Sequence, residues 1–295
     1  MVDRFLNYLA LERKYSPLTV KNYGKDLQEF EAYFKSLGDQ DLSWQTVDAD
    51  IIRNWMERMM DKGNTATSIN RRLSALRSFY RFALKRRLVE SDPAHAVVGP
   101  KRKKPLPMFL KEQEMEQLLN PLMWTDSYDD VLARTILIIF YETGIRLSEL
   151  VSLDEKDVYF VNNEMKVTGK RNKQRIIPFG KEMEDTLKSY LVKRSELQDV
   201  KDPALLVSKK GTRMLPATVR VIVQRKLALV TTLKKKSPHV LRHTFATAML
   251  NHEAGLEGVK KLLGHESLAT TEIYTHTTFE QLKKVYKTAH PRAET

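Results

Sequence analysis

DVYFVNNEMKVTGKRNKQRIIP, Asp157–Pro178, is the one part of this chain with the pattern of a β-sheet. Its β-branched and aromatic residues fall in three short runs, within DVYFVN, EMKVTG and QRIIPF. Asn162-Asn163 and KRNK, both turn-forming, separate them. Three strands joined by two tight turns make a small antiparallel sheet. On both sides the apolar spacing is helical instead, over Met115–Leu119, Val131–Thr143 (closed by Gly144) and about 181–198, 216–230, 239–252, 256–263 and 268–275. One small sheet set among helices makes residues 108–295 an α+β domain.

Residues 1–90 carry no strand signal. Phe5, Leu6, Leu9 and Ala10 share a face of a helix over Val2–Arg13. Ser16 and Pro17 are an N-cap and first-turn pair, and Tyr23, Leu27, Phe30 and Phe34 continue at helical spacing to Gly38. Asp48 opens a third helix marked by Ile51, Ile52, Trp55 and Met59 and closed by Gly63, and Thr65 or Thr67 opens a fourth that runs to about Arg87. This is a small all-helical domain. Between the two domains, residues 91–107 hold Pro93, Pro100, Pro105 and Pro107 and the run Lys101, Arg102, Lys103, Lys104, the composition of an extended basic linker. The fold class is therefore mainly α, a helical domain followed by an α+β domain.

Composition narrows the function. Lys and Arg number 50 against 37 Asp and Glu, a formal charge of +13 over 295 residues, which calls for a polyanionic partner. The absence of cysteine removes disulfide scaffolds, thiolate metal sites and a cysteine nucleophile. The opening MVDRFLNYLALERKYS is too charged for a signal peptide, and no run nears the ~18 apolar residues of a membrane span. A cytoplasmic address is expected. The fourth helix has an apolar seam of Ile69, Leu73, Leu76, Tyr80 and Ala83, flanked by Arg71, Arg72, Arg77, Arg81, Lys85, Arg86 and Arg87. No acid lies between Ala66 and Val89, so this flank and the KRKK linker are expected to meet phosphate.

Four clusters carry candidate chemistry. In TGIRLSEL, Gly144 ends one helix and Ser148 is expected to help open the next, holding Arg146 at the junction. In SPHVLRHTFATAML, Ser237 and Pro238 open a helix whose first turn presents His239 and Arg242 beside free backbone donors, an anion site. HVLRH is not a zinc-protease helix, because Val240 stands where the general-base glutamate is needed. In LLGHESLATTEIYTHTT, Gly264 ends a helix, His265 follows and Tyr274 lies nine residues on. In GKRNKQR, Lys170 and Lys173 occupy the second hairpin tip.

Together, Arg146, Lys170, His239 with Arg242, Gly264-His265 and Tyr274 resemble, in order, the active-site set of the tyrosine recombinases, or phage-integrase family. Glu149 resembles the family's acidic residue after the first arginine. The opening FLNYLALERKYSPLTVKNY, the block LLGHESLATTEIYTH and the ending HPRA are most similar to bacterial Xer chromosome-resolution recombinases. NHEAGLEG at Asn251–Gly258 departs from the family's usual turn there. The resemblance implies a core-binding helical domain, and double-stranded DNA with a specific site as substrate. Tyr274 would attack the scissile phosphate to leave a 3′-phosphotyrosyl bond. Arg146, Arg242 and His265 would stabilise the phosphorane, Lys170 would protonate the 5′-oxygen, His239 would take the tyrosine proton, and Glu149 would orient the cluster. It implies no metal or other cofactor. It also implies a homo- or hetero-tetramer on two DNA sites, possible pairing with a paralogous recombinase and activation by a cell-division DNA translocase, and a bacterial nucleoid address. In the family a C-terminal tail docks on a neighbouring protomer, and Phe279, Leu282, Val285 and Tyr286 form the matching apolar stripe. The rivals are a transposon or phage integrase, a type IB topoisomerase, or a DNA-binding relative with a silent site. The start at the core-binding helices, with no arm-binding domain ahead, favours the Xer type.

Overall fold

A computed structural model describes residues 1–39, 41–102, 108–169, 172–252, 256–264, 285–286 and 288–292. The chain divides into two compact units, Met1–Pro105 and Leu106–Thr295.

In the first unit the sequence's capping signals act as read. The Ser16 hydroxyl accepts from Thr19 N (3.2 Å) to open α2 (Pro17–Lys35), the Asp48 carboxylate accepts from Ile51 N (2.9 Å) to open α3 (Ala49–Asp61), and Thr65 accepts from Ser68 N (3.3 Å) to open α4 (Ala66–Lys85). Each satisfies a backbone donor that the first turn leaves orphaned. The first helix departs from expectation. α1 stops at Val2–Asn7 and gives way to a π-helical turn over Tyr8–Glu12. The wider turn keeps Phe5 and Leu9 buried but turns Ala10 out to solvent. The core contains an aromatic cluster: Trp44, in the α2–α3 connection, lies 4.5 Å from Phe79 and 5.3 Å from Phe34 between ring centroids, and Phe30 lies 4.9 Å from Trp55. Such pairs add about 0.5–1.5 kcal/mol each beyond area burial.

The unit extends past the boundary expected at residue 90. Ala94 and Val97 are fully buried, and the Arg77 guanidinium donates to their carbonyls at 3.2 and 2.6 Å. Asn70 Nδ2 donates to Pro100 O at 2.8 Å. The proline-rich segment is thus folded along α4 as far as Pro100, because side chains of α4 satisfy carbonyls that proline-broken backbone cannot pair internally.

The second unit is built on α6 (Tyr128–Thr143), which is buried on nearly every side from Leu132 to Thr143. Around it pack α8 (Lys181–Ser195), α9 (Pro216–Leu227) and α10 (Pro238–Asn251), preceded in the chain by α5 (Glu112–Leu119) and α7 (Leu147–Ser152), and followed by α11 (Leu256–Leu263). The sheet forms as the sequence indicates, β1 (Val158–Tyr159), β2 (Glu164–Thr168) and β3 (Gln174–Pro178), antiparallel in that order. Its register pairs Met165 with Ile177 and Val167 with Arg175. Met165, Val167, Arg175 and Ile177 all face inward, while Ile176 stays 40% exposed.

The expected helix over 268–275 lies outside the described residues, as do Phe279 and Leu282. The rest of the expected tail stripe packs within its own unit. Tyr286 is buried and donates to Glu142 Oε2 (3.0 Å), and its ring stacks on His290 at 5.0 Å. His290 Nε2 pairs with Tyr141 O at 3.2 Å. This corrects the expectation that Tyr286 is available to a neighbouring protomer. The polar end of α6 needs a partner, and the chain's own C-terminal segment supplies it.

Candidate active site

Gly144 ends α6 in the left-handed conformation (φ +59°) and turns the chain into α7. A Cβ there would lie 2.4 Å from the Phe245 ring, so the turn requires glycine on two counts. Ser148 does not open α7. Instead the Glu149 carboxylate reaches back to the Arg146 backbone N–H (2.8 Å), and its other oxygen accepts from the Arg146 guanidinium (2.8 Å). A longer acidic side chain three residues in thus fixes both the backbone and the side chain of Arg146.

Pro238 takes the first position of α10 as expected, though Ser237 makes no side-chain cap. One turn in, the buried Arg242 donates to Gly144 O and to Leu263 O, both at 2.7 Å. It thereby ties α10 to the α6 turn and to the end of α11. Burial lowers its pKa first, the nearby Arg146 and Arg175 lower it further, and it stands at about 10, still cationic at neutral pH. His239 is exposed on the same helix start. Its pKa is lowered from 6.5 by partial burial, then by Arg242 and other neighbouring cations, so at neutral pH it is an uncharged imidazole able to accept a proton.

The residue that sequence reasoning passed over is Arg175. Its Nη1 and Nη2 donate to the two oxygens of Glu149 (3.1 and 2.9 Å), and its Nε donates to Leu262 O (2.8 Å). Arg146 Nη2 donates to Gly264 O (3.1 Å). Three successive carbonyls at the end of α11, of Leu262, Leu263 and Gly264, therefore each receive one guanidinium, from Arg175, Arg242 and Arg146. These are carbonyls that a helix C-terminus leaves unpaired, and its partial negative charge suits cations. Burial raises the pKa of Glu149, but the hydrogen bonds and charges of Arg175 and Arg146 outweigh it and hold the carboxyl below its ordinary value. Three guanidiniums against one carboxylate leave two formal positive charges in the cluster. Arg146 is the most open of them, its side chain 36% exposed against 8% for Arg175. The signal for Arg175 was its phase: it shares the inward face of the sheet with Met165, Val167 and Ile177, where a cation needs a buried partner.

A solvent-facing arginine backed by a buried cationic cluster at a helix terminus is an anion site suited to phosphate. The pattern of the phage integrase family matches residues 108–281, and that of its N-terminal SAM-like domain matches residues 2–87. The chain belongs to the phage integrase family. Curated members similar to it include the tyrosine recombinase XerC of Vibrio vulnificus strain YJ016, 39% identical over 99% of this chain and 91% of that one. The tyrosine recombinase XerC of Staphylococcus aureus strain USA300 / TCH1516 is 37% identical over 99% and 97%. Among solved structures, the XerH recombinase bound to palindromic difH in a post-cleavage complex shares the fold, with a TM-score of 0.73 at 24% identity over 97% of this chain and 84% of that one. The Tn1549 transposon integrase with transposon right-end DNA does likewise, with a TM-score of 0.72 at 17% identity over 96% and 98%. This family member is accordingly a site-specific tyrosine recombinase.

Of the residues that the sequence singled out as candidates for the active site, Arg146, Glu149 and Arg242 are brought together, with His239 on the helix of Arg242. Lys170, His265 and Tyr274 lie outside the described residues, as do Lys103, Lys104 and residues 253–255 of the divergent turn. Lys173 is exposed next to β3. The basic flank of α4 divides. Arg71 and Arg72 pair with the buried Asp26, Arg72 also with Glu29 (2.9 Å), and Arg77 is held by carbonyls. Arg81 and Lys85 stay exposed, as do Lys101 and Arg102. The acids that offset α4 come from α2, invisible to a scan of α4 alone. Among the described residues no helix is long and apolar enough to cross a membrane, and no three His, Asp or Glu side chains gather as for a metal.

Proposed function

We propose that this recombinase acts through Tyr274, cutting one strand at a specific DNA site to leave a 3′-phosphotyrosyl bond and a free 5′-hydroxyl, and that its task is to resolve chromosome dimers during segregation. The observation that carries the chemistry is the convergence of Arg146, Arg175 and Arg242 on the end of α11, with Gly264 directly before His265 and ten residues before Tyr274. Attack on a phosphodiester places added negative charge on the nonbridging oxygens. Arg146 and Arg242 donate to those oxygens and His265 adds a third contact. Each such donor is worth roughly 2.7–4 kcal/mol in the transition state. A tyrosine with a pKa near ~10 is a poor nucleophile at neutral pH. His239, held neutral, accepts its proton in the transition state. Lys170 protonates the departing 5′-oxygen, and Glu149 keeps Arg146 in place.

The chromosomal role rests on the likeness to the XerC proteins. A related lambda integrase has been solved as a tetramer bound to a Holliday junction. By analogy this chain assembles as four protomers on two sites, alone or with a paralogue, working on the nucleoid and answering to a cell-division translocase. Arg81, Lys85, Lys101, Arg102, Lys103, Lys104 and Lys173 supply phosphate contacts that are independent of sequence.

A site labelled at either end of the cut strand tests the linkage. The 5′-labelled fragment is expected to remain attached to protein after denaturation, and the 3′-labelled fragment to run free. The reverse result overturns the proposed polarity. Relaxation of plasmids that lack any site, at the same rate as those that carry one, would instead indicate a type IB topoisomerase.

A further inference from the structure

The roles above leave Arg175 without a task, although all three of its donor nitrogens are committed inside the site. It is buried and points inward from β3, opposite Val167, with its whole fork on one carboxylate. What it holds is informative. Its fork takes both oxygens of Glu149, and Arg146 shares one of those oxygens and has its own backbone N–H bound by the other. Its Nε takes Leu262 O, two residues before the Gly264 carbonyl that Arg146 takes. Arg175 and Arg146 therefore grip the same two objects, one carboxylate and one helix end.

We propose that Arg175 is a positioning residue for strand cleavage: it fixes Glu149, through Glu149 the guanidinium of Arg146, and at the same time locks the end of α11 to the sheet. This rests on the recombinase chemistry proposed above and adds to it the part that sets its geometry. The surroundings are built close around this fork. A Cβ on Gly169 would lie 3.2 Å from Glu149 Oε1, and one on Gly264 would lie 3.1 Å from Arg175 Nη1. Gly264 also stands at φ +63°. The hairpin that carries Lys170 is rooted here as well, with Gly169 N donating to Lys173 O at 2.7 Å and Thr168 paired with Gln174 beside Arg175. One planar group thus ties together the sheet and two segments that flank catalytic positions. Lysine supplies the charge but not the fork, so it cannot hold two carboxylate oxygens and a carbonyl together. A misplacement of about 1 Å costs on the order of 10²-fold in rate.

The test is single-turnover cleavage of a nicked specific site by full-length wild type, Arg175→Lys, Arg175→Met, Glu149→Gln and the double variant Arg175→Met/Glu149→Gln. Circular dichroism and site binding are measured alongside. Both Arg175 variants are expected to fold and bind DNA as wild type does, and to cleave roughly 100-fold more slowly. Without its Arg175 hydrogen bonds Glu149 is easier to protonate, so the acid limb of the Arg175→Met pH profile moves to higher pH. That movement is absent in the double variant, where Arg175→Met adds little to the loss already caused by Glu149→Gln. Wild-type cleavage by Arg175→Lys overturns the proposal, as do losses that multiply independently within about twofold, an unmoved pH profile, or an Arg175→Lys chain that is unfolded. If wild type itself forms no covalent adduct, the recombinase chemistry fails instead, so the two failures are distinguishable.

Discussion

At Gly144 one backbone angle decides where two arginines of the proposed site sit. Its carbonyl accepts from Arg242 (2.7 Å), and two residues later Arg146 opens α7. Gly144→Ala forces a side chain into the left-handed region, costing about 1–2 kcal/mol, and drives its Cβ to 2.4 Å from the Phe245 ring. The expected outcome is a lower melting temperature together with slower cleavage, and an alanine variant with both unchanged contradicts this geometry. Arg242→Lys keeps the charge and loses the fork to Gly144 O and Leu263 O, so cleavage is expected to fall about 10²–10³-fold with DNA binding retained, measured by adduct formation against gel shift. At this scale the sequence was readable where chemistry is local. Gly144, Pro238, Ser16, Asp48 and Thr65 announce turns and caps by residue type alone. Arg175 was missed because its partners, Glu149 and Leu262, lie 26 and 87 residues away and only folding brings them to it.

The junction of α6 with the C-terminal segment shows what an element needs from outside itself. Glu142 is fully buried at the end of α6, where Gly180 N (2.9 Å) and Tyr286 OH (3.0 Å) donate to one oxygen. The other oxygen has no hydrogen-bond partner among the described residues. Burial is the main cause that raises its pKa from 4.5 to about 7, so the folded chain keeps a proton that the unfolded chain releases. Its contribution to stability is therefore present below pH 4.5 and is lost as pH rises through that window. His290 does the opposite. Burial lowers it from 6.5 to about 4, so its contribution is present above pH 6.5 and is lost as pH falls toward 4. In the wild type these slopes offset one another. Thermal melting across pH 4–7 is expected to show stability rising with pH in Glu142→Gln and falling with pH in His290→Asn. Parallel profiles for both variants contradict this account. Removing everything after Thr278 is expected to destabilise the second unit as well as any assembly, because it uncovers Glu142. The apolar spacing of Val285 and Tyr286 was visible in the sequence, but spacing cannot say which surface an amphipathic stripe will cover.

Over the whole molecule, the charge of +13 has two uses that the sequence could not separate. On α4, Arg71, Arg72 and Arg77 hold the fold, whereas Arg81 and Lys85 stand exposed. Arg81→Ala and Lys85→Ala are each expected to lower the salt slope of DNA binding by about 0.9 if they neutralise a phosphate, without changing the melting temperature. Arg77→Ala is expected to lower the melting temperature instead, because it strands the buried carbonyls of Ala94 and Val97. Fold class was legible at this scale because helix and strand periods differ so clearly between residues 1–90 and Asp157–Pro178, but the end of the first unit was not, since the side chains of Asn70 and Arg77 determine it. The proposed role of this charge and this cluster is to serve a tyrosine that bonds to DNA. It is tested most directly by incubating wild type and Tyr274→Phe with a nicked specific site and looking for a protein–DNA adduct that survives denaturant. An adduct is expected with wild type and none with Tyr274→Phe; an adduct with Tyr274→Phe, or none with wild type, contradicts this chemistry.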